Sequence, residues 1–358
     1  MKLMISLSIM RQRCENCVIS NQLDPSLDNP DVTICVFCRA EKNKTPIDYR
    51  LKTKQLLESL EKLKQSQRDS KNPSGEKVIL GFSGGKDSLY GLIFLLEHGI
   101  RPLLAIFDSG FQSESGKQII EQAITKFKLQ SRTYRPPMKA YRHCVKTLFQ
   151  ATGDLCLQCD LEVYRMLLTT AHREKIRTIV MGGGASEGLG QSSPLRALDV
   201  YTYAQSFLNE KGCDSSHIQM RKDEFESIEW IQLGDFIQWN HSEIFRKLNQ
   251  YGFKLPDHYI HHDCQLCRLH DLARFKKRGF NRNEPSLAAL VRNGTMQRHE
   301  ALELIETEEA KLKNQMKCLE SQNQSILRAL SISDKTWENV LADPRISYSP
   351  PWYQKKTR

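Results

Sequence analysis

No apolar run in this chain approaches the roughly 20 residues needed to span a bilayer, which excludes a helical membrane protein and any partnership with the membrane core. A secretion signal is missing too. Met1-Lys-Leu-Met-Ile-Ser-Leu-Ser-Ile-Met10 is briefly apolar, but it is short for a signal peptide, shows no small-residue cleavage site and runs straight into Arg11-Gln-Arg13. Met10 is an alternative start, with the first nine residues an extension. Two familiar glycine signatures are absent: G-x-x-x-x-G-K-[ST], which excludes a Walker A loop, and G-x-G-x-x-G, which excludes a dinucleotide fingerprint. What remains is a chain of 358 residues, 39% hydrophobic and 26% charged. That is enough for one large soluble domain with smaller appendages. Its net charge of +10 favours polyanionic partners without choosing among them.

Cysteine is plentiful. Of 11, eight fall into four C-x-x-C pairs. With no export signal, such pairs read as metal or redox sites in a reducing cytoplasm, not as structural disulfides. Cys14-x2-Cys17 and Cys35-x2-Cys38 are separated by seventeen residues that include Pro25, Asn29 and Pro30. This is the spacing of a four-cysteine zinc knuckle or ribbon, in which four thiolates leave no open position for substrate, so the expected role is structural. The pairs Cys156-x2-Cys159 and Cys264-x2-Cys267 supply a second candidate set of four metal ligands. Cys144, Cys213 and Cys318 stand alone and read as small buried residues.

The stretch Val78-Ile-Leu-Gly-Phe-Ser-Gly-Gly-Lys-Asp-Ser-Leu89 reads as buried strand, glycine turn and helix N-terminus. Unpaired N–H groups at a helix start favour an anion, and adjacent glycines let the backbone approach one closely. Ser83, Gly84, Gly85, Lys86, Asp87 and Ser88 are therefore the candidate polyphosphate grip. Lys86 supplies charge and Asp87 a site for Mg²⁺ or, equally, a helix cap. Further strands are expected at 103–107, 130–134 and 177–181, alternating with helices at 116–127, 139–152 and 159–175. This alternation predicts an α/β, doubly wound, mostly parallel sheet. In such sheets ligands sit at the carboxyl ends of strands. Asp108-Ser-Gly110 and Gly182-Gly183-Gly184 would then converge with Ser83-Gly-Gly85 on one nucleotide, Asp108 contacting ribose or Mg²⁺ or merely capping its turn. Residues 185–227 give no clear pattern beyond a glycine- and serine-rich loop at 188–194. A strand or turn within Trp230–Trp239 leads into a helix at 242–248, and one long amphipathic helix is expected over 297–330. The organisation expected is a four-cysteine ribbon (1–45), a helical linker (46–75), a nucleotide domain (76–260) and a helical C-terminal region with a basic tail (261–358).

Ser83-Gly-Gly-Lys-Asp-Ser88 resembles the SGGxDS motif of the PP-loop ATP pyrophosphatases, of the adenine nucleotide alpha hydrolase-like fold. The resemblance implies cleavage of ATP between its α and β phosphates, adenylation of an acceptor oxygen, and displacement of AMP by a nitrogen or sulfur nucleophile. Over nearly the whole chain the sequence is similar to one branch, the N-acetyl sugar amidotransferases of lipopolysaccharide and surface-glycan biosynthesis. The similarity rests on Ile47-Asp-Tyr-Arg50, Gly153-Asp154, Leu233-Gly-Asp-Phe-Ile-Gln-Trp239, His270-Asp271, Phe275-Lys-Lys-Arg-Gly-Phe-Asn-Arg282 and Val291-Arg-Asn-Gly-Thr-Met-Gln-Arg-His-Glu-Ala-Leu302. It implies a free or nucleotide-linked N-acetyl sugar as substrate, ATP and Mg²⁺, and ammonia from a separate glutaminase subunit. His270 and Asp271 are candidates for acid/base work or substrate orientation. Two features depart from that branch. Gly182-Gly183-Gly184 stands where it has Gly-Glu-Asn, and the cysteines at 156, 159, 264 and 267 resemble the iron–sulfur tRNA-thiolating branch. Those four cysteines suit either a second zinc or a [4Fe–4S] cluster. With a cluster the partner would be tRNA, gripped by Lys276, Lys277, Arg278 and Arg282.

Overall fold

The computed structural model describes residues 11–42, 47–68, 78–183, 194–255, 262–317 and 321–346. The first ten residues, the linker at 71–75, Gly184, Glu187, Gly188, nearly all of the loop 188–194, Cys318 and the tail from Tyr348 lie outside them.

Two helices, α1 (Val36–Glu41) and α2 (Tyr49–Arg68), precede a sheet of five strands: β1 (Val78–Gly81), β2 (Leu103–Phe107), β3 (Ser131–Tyr134), β4 (Thr178–Met181) and β5 (Glu229–Gln232). All pair in parallel, in the order β3-β2-β1-β4-β5. The expected α/β, doubly wound sheet is the one the chain forms. Between and after the strands run α3 (Lys86–Glu97), α4 (Glu114–Phe127), α5 (Met138–Thr152), α6 (Leu157–Glu174), α7 (Pro194–Glu210), α8 (Lys222–Glu226) and α9 (His241–Gln250). The C-terminal third is helical: α10 (Gln265–Arg278), α11 (Asn283–Arg292), α12 (Arg298–Lys317), α13 (Ser321–Ala329) and α14 (Asp334–Ala342).

The continuous apolar run in β1 is explained by its central place, since both faces of the strand are covered. Alternate residues point to opposite sides. Val78 and Leu80 join Leu89, Leu92, Ile93 and Leu95 of α3, with Leu56 and Leu60 of α2 and Ile244 and Leu248 of α9. Ile79 faces the other way, against Met166, Leu167 and Ala171 of α6. A further core joins α5 to α10, α13 and α14, where the Phe149 and Trp337 rings stack with centroids 5.3 Å apart.

Within residues 185–227, which show no clear pattern in the sequence, the described residues hold the helices α7 and α8. Tyr201, Ala204 and Leu208 of α7 are buried at helical spacing against Leu161 and Leu168 of α6, a stripe obscured in sequence by the glycine- and serine-rich residues before it. Of the long helix expected over 297–330, the described residues are helical at Arg298–Lys317 (α12) and Ser321–Ala329 (α13), with residues 318–320 outside the described set. Cys144 and Cys213 are both buried, as expected, and lie beside each other; burial, with the Cys213 contact, pushes the Cys144 thiol up to about 12.

A buried carboxylate ties the segment after α7 to α6. Glu162, fully buried, accepts hydrogen bonds from Gln158 Nε2 (3.0 Å) and Tyr134 Oη (3.4 Å) and pairs with His217 Nε2 at 2.7 Å. The bond to Glu162 raises the His217 pKa above its ordinary 6.5, against the opposing effect of burial. A histidine whose folded pKa is raised stabilises fully below its unfolded pKa and loses that contribution as pH rises through the folded value. The Tm difference between wild type and His217→Gln should therefore be largest near pH 6 and shrink by pH 9. Thermal unfolding at the two pH values checks this, and an equal difference at both would contradict it.

Candidate active site and metal centres

From β1 the chain runs outward through β2 to β3, then returns to the other side of β1 at β4. That reversal opens a crevice at the carboxyl ends of β1 and β4. The Ser83–Ser88 turn fills it. Gly85 is the N-cap of α3 and brings no side-chain capping bond, so first-turn N–H groups are left to the crevice. Gly84 has φ +81°, and a Cβ there would meet the Gly116 carbonyl oxygen at 2.6 Å, so both handedness and space demand glycine. The two serine hydroxyls lie 3.3 Å apart and brace the turn. Ser83 Oγ accepts the Gly85 N–H (3.2 Å) and Ser88 Oγ donates to the Gly85 carbonyl (3.1 Å).

Lys86 Nζ donates to both carboxylate oxygens of Asp87, at 2.6 and 2.8 Å. Asp87 Oδ1 also accepts the indole N–H of Trp239 at 3.0 Å. Gly182 lies against this first turn: a Cβ on it would be 2.3 Å from the Asp87 carbonyl oxygen. Gly183, with φ +85°, accepts the Gly234 N–H at 2.7 Å. The structure brings these residues together at one end of β1 and β4. Asp108, at the end of β2, accepts the Gly110 N–H at 2.9 Å and faces Arg135 at 3.6 Å, so its carboxylate braces its own turn.

Two side chains at the turn were not singled out by sequence pattern. Trp239 is one. Asp263 is the other: its Oδ2 would lie 2.9 Å from a Cβ on Gly85. The segment carrying it is pinned by the Ser113 N–H to the Asp263 carbonyl and by the Gln265 N–H to the Phe111 carbonyl, each 2.9 Å. The only available signal was position: Asp263 is one residue before Cys264, and Trp239 ends the Leu233–Trp239 stretch.

Asp263 brings the second cysteine set to the edge of the glycine turn. Cys156 and Cys264 are the N-caps of α6 and α10, and Cys156 Sγ lies 3.8 Å from Cys267 Sγ. Cys264 and Cys267 also interact, and Cys159 feels the charge of Cys267. Cys156 further groups with Asp154 and His270, ligand atoms within 4.8 Å of one another, whereas the four sulfurs do not form one group of that tightness. His270 is 2% exposed, and its Nδ1 accepts the Leu155 N–H at 3.2 Å. Burial holds its pKa below the usual value, leaving the ring neutral. Asp271 faces Arg282 at 3.8 Å. His270 and Asp271 thus sit at the junction of α6 and α10, beside the cysteines and not in the glycine turn.

The first cysteine set is compact. Cys14, Cys17, Cys35 and Cys38 are buried, with Sγ separations of 3.8 Å (Cys14–Cys38) and 3.7 Å (Cys17–Cys35). A tetrahedral metal with bonds to sulfur of about 2.3 Å separates its ligands by about 3.8 Å, so the four residues fit one ion. Burial pushes the Cys38 thiol up to about 12. The lobe is seated on α11 and α12. Arg298 donates to the carbonyls of Cys14 (3.0 Å) and Cys17 (2.9 Å), and Arg292 reaches Cys17 Sγ at 4.0 Å. Buried Glu284 accepts the N–H (2.7 Å) and hydroxyl (2.6 Å) of Ser20 and pairs with Arg13 at 3.1 Å.

Among the described residues no helix is long and apolar enough to cross a membrane. None of the curated proteins matches the sequence. Among the solved structures to which the chain is similar are the following. A predicted subunit of tRNA methyltransferase from Methanocaldococcus jannaschii is 17% identical, with 58% of this chain and 91% of that one covered and a TM-score of 0.33. The U34-tRNA thiolase NcsA from Methanococcus maripaludis, with its [4Fe-4S] cluster, is 12% identical over 82% and 89%, with a TM-score of 0.36. NMN synthetase from Francisella tularensis is 13% identical over 65% and 96%, with a TM-score of 0.28. Residues 246–356, which include Cys264, Cys267 and the Glu284, Arg292 and Arg298 that seat the cysteine lobe, match the family of the LPS biosynthesis protein WbpG-like C-terminal domain, and in this third the chain is similar to those lipopolysaccharide biosynthesis proteins.

Proposed function

We propose that this chain is an ATP-dependent, AMP-forming amidotransferase acting on the acetamido group of an N-acetyl sugar. The observation that carries the reading is the Ser83–Ser88 turn, with Lys86 and Asp87 at a helix start in the β1/β4 crevice. The match of residues 246–356 to a lipopolysaccharide biosynthesis domain supports a sugar substrate. The amide oxygen attacks the α-phosphorus of ATP, pyrophosphate leaves, and ammonia then displaces AMP. Lys86 and the N–H groups of α3 neutralise the departing pyrophosphate, while Asp87 holds Mg²⁺. A separate glutaminase subunit supplies ammonia in the cytoplasm, and zinc in the first cysteine set holds the N-terminal lobe.

A second reading is favoured by one feature, the approach of the second cysteine set to the glycine turn through Asp263. If those thiolates hold a [4Fe–4S] cluster, the adenylate is attacked by sulfur and the acceptor is a tRNA. One experiment separates the two. Anaerobically purified protein is assayed for iron and sulfide, then incubated with ATP, Mg²⁺, ammonium chloride and a panel of free and nucleotide-linked N-acetyl sugars. AMP release that requires a sugar and ammonia, from colourless protein, is expected. Brown, iron-containing protein that releases AMP only with tRNA would replace the first reading by the second.

A further inference from the structure

Two groups of different character donate to the Asp87 carboxylate. Lys86 is a neighbour on the same helix turn, and its flexible four-carbon stem can carry the ammonium from one oxyanion to another. Trp239 is 2% exposed, and its ring is held edge-on by Tyr90, with centroids 5.2 Å apart and planes at 85°. Its N–H reaches Asp87 Oδ1 at 3.0 Å from the segment joining β5 to α9, and its ring packs on α3 beside Tyr90. A buried indole N–H needs an acceptor, and many weaker acceptors would serve. Here the acceptor is a charged carboxylate in the nucleotide turn itself.

We propose that Trp239 is a positioning residue for Asp87: by holding Oδ1 from a rigid, packed ring, it fixes the carboxylate so that Oδ2 is presented to the divalent cation of a nucleoside triphosphate. The inference rests on the reading of the Ser83–Ser88 turn as a nucleotide site. It assigns to the β5–α9 connection the task of setting metal affinity, separately from the phosphate grip of Lys86 and the glycines. The charge-assisted bond holds Asp87 in one rotamer whether Lys86 pairs with it or with phosphate.

Equilibrium binding distinguishes this role from packing. ATP is titrated into wild type, Trp239→Phe, Asp87→Asn and the double variant, once with Mg²⁺ and once with EDTA. Trp239→Phe keeps an aromatic ring but loses the donor and some ring volume; the metal-free arm reads any packing loss. Mg²⁺·ATP should bind about tenfold more weakly while metal-free ATP changes by less than about twofold. The double variant should bind Mg²⁺·ATP no more weakly than Asp87→Asn alone, because the two residues act as one unit. Equal weakening for both forms of ATP, or a double variant whose loss is the product of the two single losses, would overturn the proposal. A second measurement uses the wild type. Of four indole N–H resonances in ¹⁵N-tryptophan-labelled protein, the one displaced by Asp87→Asn should move on adding Mg²⁺·ATP and stay in place with metal-free ATP; no movement sinks the idea. If wild type binds ATP in neither form, the nucleotide reading falls and this inference with it. If wild type binds and Lys86→Ala does not, the reading stands and Trp239→Phe alone decides.

Discussion

Lys86→Ala should lower AMP formation by at least about 10²- to 10³-fold and leave the fold in place. That is the scale of losing one preorganised charge that stabilises a developing oxyanion. The fold should survive because Lys86 is at a helix start with its ammonium in the crevice, while the core beneath it is made by Leu89, Leu92 and Ile93. The ion pair with Asp87 is lost, but the Asp87 carboxylate keeps the Trp239 donor. Circular dichroism and thermal unfolding check the fold, and separation of AMP from ADP and ATP checks the chemistry. Unchanged AMP release would remove the assignment of this turn to phosphate binding.

Removing metal from the first cysteine set, by chelation or by Cys17→Ser, should have the largest effect on stability, on the order of 5 kcal/mol. The loss reaches beyond the lobe. Its thiols share one core with Leu287, Ala288, Leu290, Ala301 and Ile305 of α11 and α12. Detaching the lobe would leave Glu284 buried without Ser20 and Arg13, a costly unpaired carboxylate. Metal content, Tm and limited proteolysis of the cysteine lobe follow the change together. A variant that loses its metal but keeps wild-type Tm and protease resistance would show that the ion is dispensable for this packing.

The sheet was legible because its signals are local. Val78–Leu80, Leu103–Phe107 and Arg177–Met181 are apolar runs ending in glycine or aspartate, and each forms a strand within a residue or so of where it was expected. The glycine turn was legible for the same reason. What escaped is what depends on distant residues. Nothing in the spacing of Asp263 or Trp239 says that each packs onto a turn some 150 residues or more earlier in the chain. Asp108 and His270 look equally suited to chemistry and to capping until their partners are known; backbone N–H groups of Gly110 and Leu155 take them. The block Val291–Leu302 stood out as a family signature, yet composition could not show that its Arg292 and Arg298 face the cysteine lobe.

That seating has a consequence for how the chain is made. Arg13 meets Glu284, 271 residues away in sequence, and Arg11 meets Glu309, 298 residues away. At synthesis rates of 5–20 residues per second, the cysteine lobe waits about 15–50 s on the ribosome before its platform exists. During that interval its core is incomplete, and its four thiols are the groups able to organise it. Metal capture by the nascent lobe therefore comes first and docking second. A cell short of the metal would accumulate chains whose sheet is folded but whose two ends have never met.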